Sequence, residues 1–353
     1  MSKQEIERDG AFVTKQSNEI SLVSQTQKRL IIWISCILFF GCAIFYFVTA
    51  NANELDVTDN DSVKDDLQYQ EIVIFNLSNW IVIDGNRIDG QLDGFVNLVH
   101  DDGSTFAGYF YRNQKDGHGE LNLVDGTTFI GNWRYNLRHG HGVMTYADGS
   151  VYTGDWSQDL RHGHGTFECA TYFWTYTGGW VHGFLQGHGK LVYQNGNYFI
   201  GEFYQNKFHG FGIYRSVHGW YYAGEFYQGV RQGHGRYSFA DGSHYEGMWF
   251  NGLEHGHGVF EHYSGWRYDG NWINGVMSGF GTMHFADGSH HEGYFVNNEP
   301  HGAGTRTYFD DTGYHFATFT GDFKYGRRHG LGTLTSVSGV ELIGTWDGDN
   351  LID

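Results

Sequence analysis

The sequence predicts an all-β chain of about twelve β-hairpin repeats preceded by one transmembrane helix, and three observations carry that reading. Glycine supplies 53 of 353 residues while proline appears once, at Pro300. That is roughly twice the usual ~7% of glycine, and each glycine costs about 1 kcal/mol relative to alanine inside a helix. A motif recurs nearly every 23 residues from residue 80 onward. Finally, residues 30–50 form an apolar run, with no charge between Arg29 and Glu54. Aromatic residues at 18% and charged residues at 18% exclude a disordered chain, which would lack rings and carry dense charge. A collagen helix is excluded because glycine does not recur every third residue. Three cysteines, Cys36, Cys42 and Cys169, make no disulfide framework. A formal charge of −18 argues against nucleic acid as a partner, since phosphates are held by Lys and Arg.

The chain divides into a tail at 1–29, a span at 30–50, an acidic linker at 51–79 and a repeat array at 80–353. The span, LIIWISCILFFGCAIFYFVTA, would reach roughly 30 Å as a helix, enough to cross a hydrocarbon core. A cleaved signal peptide is the rival, because Ala50-Asn51-Ala52 resembles a small-x-small cleavage site. The apolar stretch exceeds a signal core and 29 residues precede it, so an anchor is the better reading. Lys28 and Arg29 flank one side, whereas Glu54, Asp56, Asp59, Asp61, Asp65 and Asp66 follow the other. Positive charge stays cytoplasmic, which puts the tail inside and the array on the non-cytoplasmic side. Two glycosylation sequons, Asn60-Asp61-Ser62 and Asn76-Leu77-Ser78, follow the span.

Within the array the anchor glycines are Gly85, Gly108, Gly131, Gly154, Gly178, Gly201, Gly224, Gly247, Gly270, Gly293, Gly321 and Gly344. Rings stand two places to either side, as in Phe129 and Trp133 or Tyr245 and Trp249. Residues two apart in a strand share a face, so ring, glycine and ring line one side, and the bare glycine leaves a slot for a neighbouring strand's ring. Nine and eleven places after the anchor come two more glycines, such as Gly163 and Gly165. Apolar residues follow on the same parity, such as Met144 and Tyr146, Leu191 and Tyr193, or Tyr237 and Phe239, and Arg306 breaks that column. Five places before the anchor a glycine closes a turn, often as Asp-Gly, for example Asp125-Gly126 and Asp148-Gly149. Asp-Gly is a hairpin signal because both residues tolerate positive φ. One hairpin is too small to stand alone, so stacked neighbours must bury the rings.

The pattern Tyr-x-Gly-x-Trp, His-Gly-x-Gly, Asp-Gly resembles the MORN-repeat family over about residues 80–353. The first copy departs from it, with Arg87 in place of a ring and Val96 in place of the second glycine. The resemblance implies a long, twisted, single-layer antiparallel sheet, which twelve copies would extend to roughly 115 Å. It also implies a scaffold or membrane tether; family members are sometimes fused to catalytic domains, but the array, the span and short linkers take up the residues here, so none is expected.

Histidine is frequent at 21 residues. His139, His162, His209, His255, His301 and His329 lie eight places after an anchor, and His118, His141, His164, His188, His234 and His257 lie ten places after. Equivalent positions in adjacent repeats are two strands apart, roughly 9–10 Å, too far to share a zinc ion with ~2.0–2.1 Å bonds. One repeat offers two ligands rather than three or four, so these histidines are expected to pack over glycine and hydrogen-bond the turn. No catalytic residue, cofactor or metal is called.

The function expected is a non-enzymatic, membrane-anchored scaffold that binds a protein partner. A lipid-binding tether and a glycan-binding surface are the alternatives, and a homo-oligomer stays open. Residues 71–353 carry 16 Lys+Arg against 30 Asp+Glu, and anionic lipid attracts the opposite balance. Two repeats exceed the regular length, and insertions in repeat arrays become loops on the binding surface. One, before Gly178, crowds Tyr172, Phe173, Trp174 and Tyr176; the other, at 309–319, contains Asp310, Asp311, Tyr314 and His315. Tyr172 and Trp174 are expected to contact the partner directly, because Trp and Tyr dominate binding hot spots.

Overall fold

The computed structural model describes residues 79–310 and 312–353. The tail, the span at 30–50, both sequons and the linker up to residue 78 lie outside the described residues. Among the described residues no helix is long and apolar enough to cross a membrane. They form twenty-four strands, from β1 (Trp80–Ile88) to β24 (Asn350–Leu351). Each strand pairs antiparallel with the next, giving one open sheet.

One repeat shows why the sequence folds this way. In β5 (Thr128–Arg134) and β6 (Leu137–Thr145), burial alternates with period two, so Phe129, Gly131 and Trp133 face one side. Gly131 lies directly opposite Gly142. A Cβ built on Gly131 would fall 2.6 Å from the Gly142 Cα and 2.7 Å from Phe129 Cζ. The slot left by the glycine pair is therefore filled by the ring of the same strand, two places earlier, and not by a neighbouring strand's ring. The reason is reach: Phe129 folds along its own strand and covers Gly131 and Gly142 together. Beyond this pair the register slips, from Gly131↔Gly142 to Trp133↔Arg138, so Asn132 faces the three residues His139, Gly140 and His141. The bulge gives Gly140 its positive φ of 64°, and the ring of Phe129 leaves no room for a Cβ on Gly142, so the second strand carries glycine at both positions of its Gly-x-Gly.

The rings then lock successive repeats together. Trp133 meets Phe129 edge-on at 5.2 Å and Phe106 of the preceding repeat at 5.4 Å. Trp156 repeats the contact with Tyr152 and Phe129 at 5.1 and 5.3 Å. The same zigzag reaches Phe319 and Trp346 at 5.4 Å. Such pairs are worth about 0.5–1.5 kcal/mol beyond their buried area. Polar tips are satisfied from the backbone: Trp249 Nε1 donates to Gly235 O at 2.9 Å, and Tyr245 Oη donates to Met248 O at 2.9 Å.

Two kinds of turn bound the sheet. The Asp-Gly turns join one repeat to the next, and there only the glycine has positive φ, as at Gly126 with 92°. Asp125 instead accepts the Thr127 N–H on Oδ1 at 2.7 Å. Ser104 Oγ accepts the Val124 N–H of the following turn at 3.1 Å, which ties that edge together. The hairpin within each repeat is closed by a different, two-residue turn that the sequence pattern did not single out. Tyr135 and Asn136 both have positive φ, 52° and 70°, the geometry whose twist matches a hairpin. Asn136 donates its N–H to Lys115 O at 3.0 Å and accepts the Lys115 N–H on Oδ1 at 2.8 Å, joining this edge to the previous repeat.

The two long repeats do not form loops. β20 (Glu299–Phe309) and β21 (His315–Lys324) have 11 and 10 residues, where a regular pair has 9 and 7. The extra residues lengthen both strands and end in an ordinary turn, with Gly313 N–H donating to Asp310 O at 2.8 Å. Likewise β8 (Leu160–Cys169) and β9 (Trp174–Val181) each gain one residue. Paired backbone satisfies more hydrogen bonds than an open loop does. Arg306 does not break the packing column either, since its guanidinium stacks over Phe285 at 4.2 Å.

Asn136 offers a direct test of the two-residue turn. Replacing it with Ala removes an acceptor and leaves a Cβ residue at positive φ, an expected loss of about 2–3 kcal/mol. Asn136→Gly removes only the acceptor, at about 1 kcal/mol, and Gly183, Gly229 and Gly252 fill the same place in other repeats. Urea unfolding that gave equal losses would contradict this account of the turn.

Candidate interaction face

The ring side of the sheet is sealed, partly by cations seven places after the anchor. Lys115 is 0% exposed, with Nζ 4.0 Å over the Phe106 ring and 4.3 Å over Trp133. Arg138, Arg161, Arg231 and Arg328 stack over Trp156, Trp180, Trp249 and Trp346 at 4.3–4.6 Å. Arg138 also pairs with Asp159 through Nε at 3.0 Å. Arg161 Nη2 donates to Gly183 O at 3.4 Å, and its Nη1 has no hydrogen-bond partner among the described residues. Burial pulls the Lys115 ammonium well below its ordinary pKa and lowers the Arg161 and Arg231 guanidinium groups. The same burial raises the phenols of Tyr152, Tyr176, Tyr222 and Tyr245, and lifts Tyr268 to about 12. These groups brace the ring side of the sheet and do not reach its open face. The sequence signal for them was a Lys or Arg at a fixed offset, present in only some of the repeats.

The opposite face is open. Histidines at the tenth position, including His118, His141, His164 and His257, are exposed on it. Some pair with carboxylates on the first strand of the next repeat: His257 Nε2 lies 3.1 Å from Asp269 Oδ1 and His141 Nδ1 lies 3.4 Å from Asp155 Oδ1. Histidines at the eighth position are half-buried near the two-residue turn and pack against rings, not over glycine. His209 sits between Tyr204 and Tyr227 at 5.5 and 5.4 Å. Nor do they bond the turn as expected, since Nδ1 of His162, His209 and His255 has no partner among the described residues. Gln186 and Gln232 take that role in other repeats, accepting N–H from Gln205 and Asn251. Among the described residues no three metal-ligating side chains converge. An open depression of ≈ 390 Å³ lies on this face beside His257, Arg267, Asp269 and Phe280.

The sequence-predicted contact residues separate into two groups. Trp174 is 5% exposed and stacks on Phe167 at 5.2 Å, while Tyr176 is 0% exposed. Both offer no surface to a partner: Tyr176 is the regular ring two places before Gly178, and the extra residue at the start of the longer strand carries Trp174 into the core. Tyr172 and Phe173 remain exposed on the turn, Phe173 with a φ of 53°. Asp310 and Tyr314 stand apart from them on the longest hairpin, both exposed, and Asp311 lies outside the described residues. Asp310 Oδ1 accepts from Thr312 and from the Tyr314 N–H, which lowers its pKa, led by the Thr312 hydroxyl. The anchor glycines Gly108, Gly131, Gly154, Gly178, Gly201, Gly224, Gly247, Gly270, Gly293, Gly321 and Gly344 all lie in one register column.

A single sheet sealed on one face and open on the other defines a repeat scaffold. The chain belongs to the MORN-repeat family: ten MORN repeats match at residues 106–128, 129–151, 152–172, 176–198, 199–221, 222–244, 245–267, 268–290, 291–312 and 319–341. No curated protein matches the chain. Among solved structures it is similar to the TCP domain of SAS-4 from Drosophila melanogaster, at 13% identity and a TM-score of 0.27, over 53% of this chain and 98% of that one. It is also similar to virginiamycin B lyase from Staphylococcus aureus, at 11% identity and a TM-score of 0.12, over 75% and 73%. Likenesses at these scores carry no argument about function.

One position tests the ladder through its pH dependence. His291 occupies the place held by Phe or Tyr in the other repeats from Gly108 to Gly321, 4.5 Å from Phe323 and 0% exposed, and neither ring nitrogen has a hydrogen-bond partner among the described residues. Burial, aided by Arg306, lowers its pKa from 6.5 to about 4. The unfolded chain therefore binds this proton first, and stability falls as pH drops from about 6.5 toward 4. His291→Phe is expected to melt higher at pH 7 and to lose less stability between pH 7 and pH 5 than the parent. Parallel pH profiles for the two proteins would contradict the assignment.

Proposed function

We propose that this protein is a non-enzymatic, single-pass membrane-anchored scaffold that holds a protein partner on the open face of its sheet. The observation that supports this most is the asymmetry of the two faces. Rings and stacked cations close one side, whereas the other leaves Phe95, Tyr109, Ile130, Ile200, Phe211 and Met248 at least one-third exposed. Exposed apolar surface of several hundred Å² marks an interaction site on a soluble domain. The anchor rests on the apolar run at 30–50, and the orientation on Lys28 and Arg29.

A lipid tether is the weaker reading. The array is acidic, and Lys115, Arg138, Arg161 and Arg231 are drawn into the ring side rather than offered to a headgroup. A bilayer bearing anionic lipid would repel what remains.

Two measurements on intact cells test this reading. Alkaline carbonate should leave the full-length chain in the membrane fraction. Release of a species shortened by about fifty residues is the signal-peptide outcome and would defeat the anchor. A photo-crosslinking residue at Ile200, on the open face, is expected to join the chain to protein; labelling of lipid alone would favour the tether.

A further inference from the structure

We infer that the open face carries a track for a polyproline II segment with basic residues, on which Tyr204, Tyr227 and Phe250 are successive footholds. The inference rests on the scaffold reading and names its partner class. These three residues occupy the same place in consecutive repeats, three after Gly201, Gly224 and Gly247. They are 42%, 60% and 46% exposed. The equivalent residues before them are Ile88, Tyr111, Arg134, Ser157 and Val181, of which only Tyr111 is a ring and it stands alone, and those after are Ile273, Val296, Lys324 and Asp347. A row of three rings in succession is therefore a local feature, which the repeat does not require. The sheet does not need them either, since they lie on the face opposite the ring ladder.

Their spacing selects the occupant. Equivalent residues in consecutive repeats are two strands apart, about 9.6 Å. A polyproline II helix repeats every three residues, about 9.3 Å. A helix with apolar residues every seven positions repeats at about 10.5 Å. Over two intervals the extended segment drifts by about 0.6 Å, and the α-helix by about 1.8 Å. Proline-rich segments dock between aromatic rings because their conformation is already fixed, so little entropy is lost on binding.

The surroundings fit the same ligand. The His209 ring fills the space between Tyr204 and Tyr227 at 5.5 and 5.4 Å, making a continuous aromatic floor. Between Tyr227 and Phe250 stands Gln232, whose Oε1 accepts the Asn251 N–H at 3.2 Å, leaving its amide N–H groups for a peptide carbonyl. Glu225 lies two residues before Tyr227 on the same face. It accepts the His234 N–H at 3.0 Å and has no Lys or Arg partner among the described residues. A guanidinium or ammonium on the segment would supply that charge. Lys207 stands opposite Tyr204, so the basic residues belong at the Tyr227 end.

The test uses the full chain in phosphatidylcholine nanodiscs and a fluorescent (Pro-Pro-Arg)5 peptide, read by anisotropy. Binding is expected, with at least a tenfold loss in Tyr227→Ala/Phe250→Ala and little change for Tyr135→Ala, which removes an exposed ring on a turn three repeats before the track. Should the double variant melt early, Tyr227→Lys alone carries the test, because it opposes the arginines without emptying the face. The inference is overturned by equal binding of (Gly-Ser-Arg)5, by tighter binding of a Leu/Lys heptad helix, or by insensitivity to the ring substitutions. If no peptide binds while Ile200 still crosslinks to protein, the track fails and the scaffold stands. If the Ile200 crosslink is also lost, both fall.

Discussion

Two backbones meeting where neither has a side chain is the contact on which the rest of this sheet depends. From Gly108 to Gly344 every strand contributes one glycine, and each lies in register with those of its neighbours. The column forms a trough, and a ring from each repeat lies down in it over its own glycine and the facing one. Only a ring lying flat is placed to receive the edge of the next repeat's Trp or Phe. The ladder, the stacked cations and the closed face all follow from that placement. Because each repeat touches mainly its neighbours, stability is expected to accumulate interface by interface.

The ring-glycine-ring period was legible because strand alternation ties residues two apart to one face, and many copies agree. Which ring fills the trough was not legible, since spacing alone does not distinguish a residue's own strand from the adjacent one. The two-residue turn escaped notice because its first position varies freely: Arg112, Tyr135, Gln158 and Asn251 all adopt positive φ there. Only the second position, Asn, Asp or Gly, carries a signal. The extra residues near 309–319 suggested a loop, yet antiparallel strands can absorb added length in pairs and keep the backbone bonded. Trp174 looked like a hot spot for the same reason it is core: a large ring beside a perturbed repeat satisfies both descriptions, and only burial separates them. The open face was the least legible part. Apart from the recurring histidines of the eighth and tenth positions, its residues vary from repeat to repeat, so the period says little about what they contact.

That freedom is what suits the fold to a scaffold. The ring side is committed to holding repeats together and changes little along the array. Across the sheet, each repeat presents a few exposed positions at a fixed pitch, so a partner with a matching repeat can be engaged at several points at once. The formal charge of −18 opposes close approach of anionic surfaces.

The most direct test is a double-mutant cycle between Gly142 and Phe129. A Cβ at Gly142 would fall 2.5 Å from Phe129 Cζ, and Gly142 has no positive φ that would add backbone strain. Unfolding of the full chain should show Gly142→Ala costing roughly 3 kcal/mol with Phe129 present, and much less in a Phe129→Ala background, where the clash is gone. A coupling well above 0.5 kcal/mol is the predicted result. Additive losses would mean that the ring does not occupy the glycine trough, and the account of the sheet would fail with it.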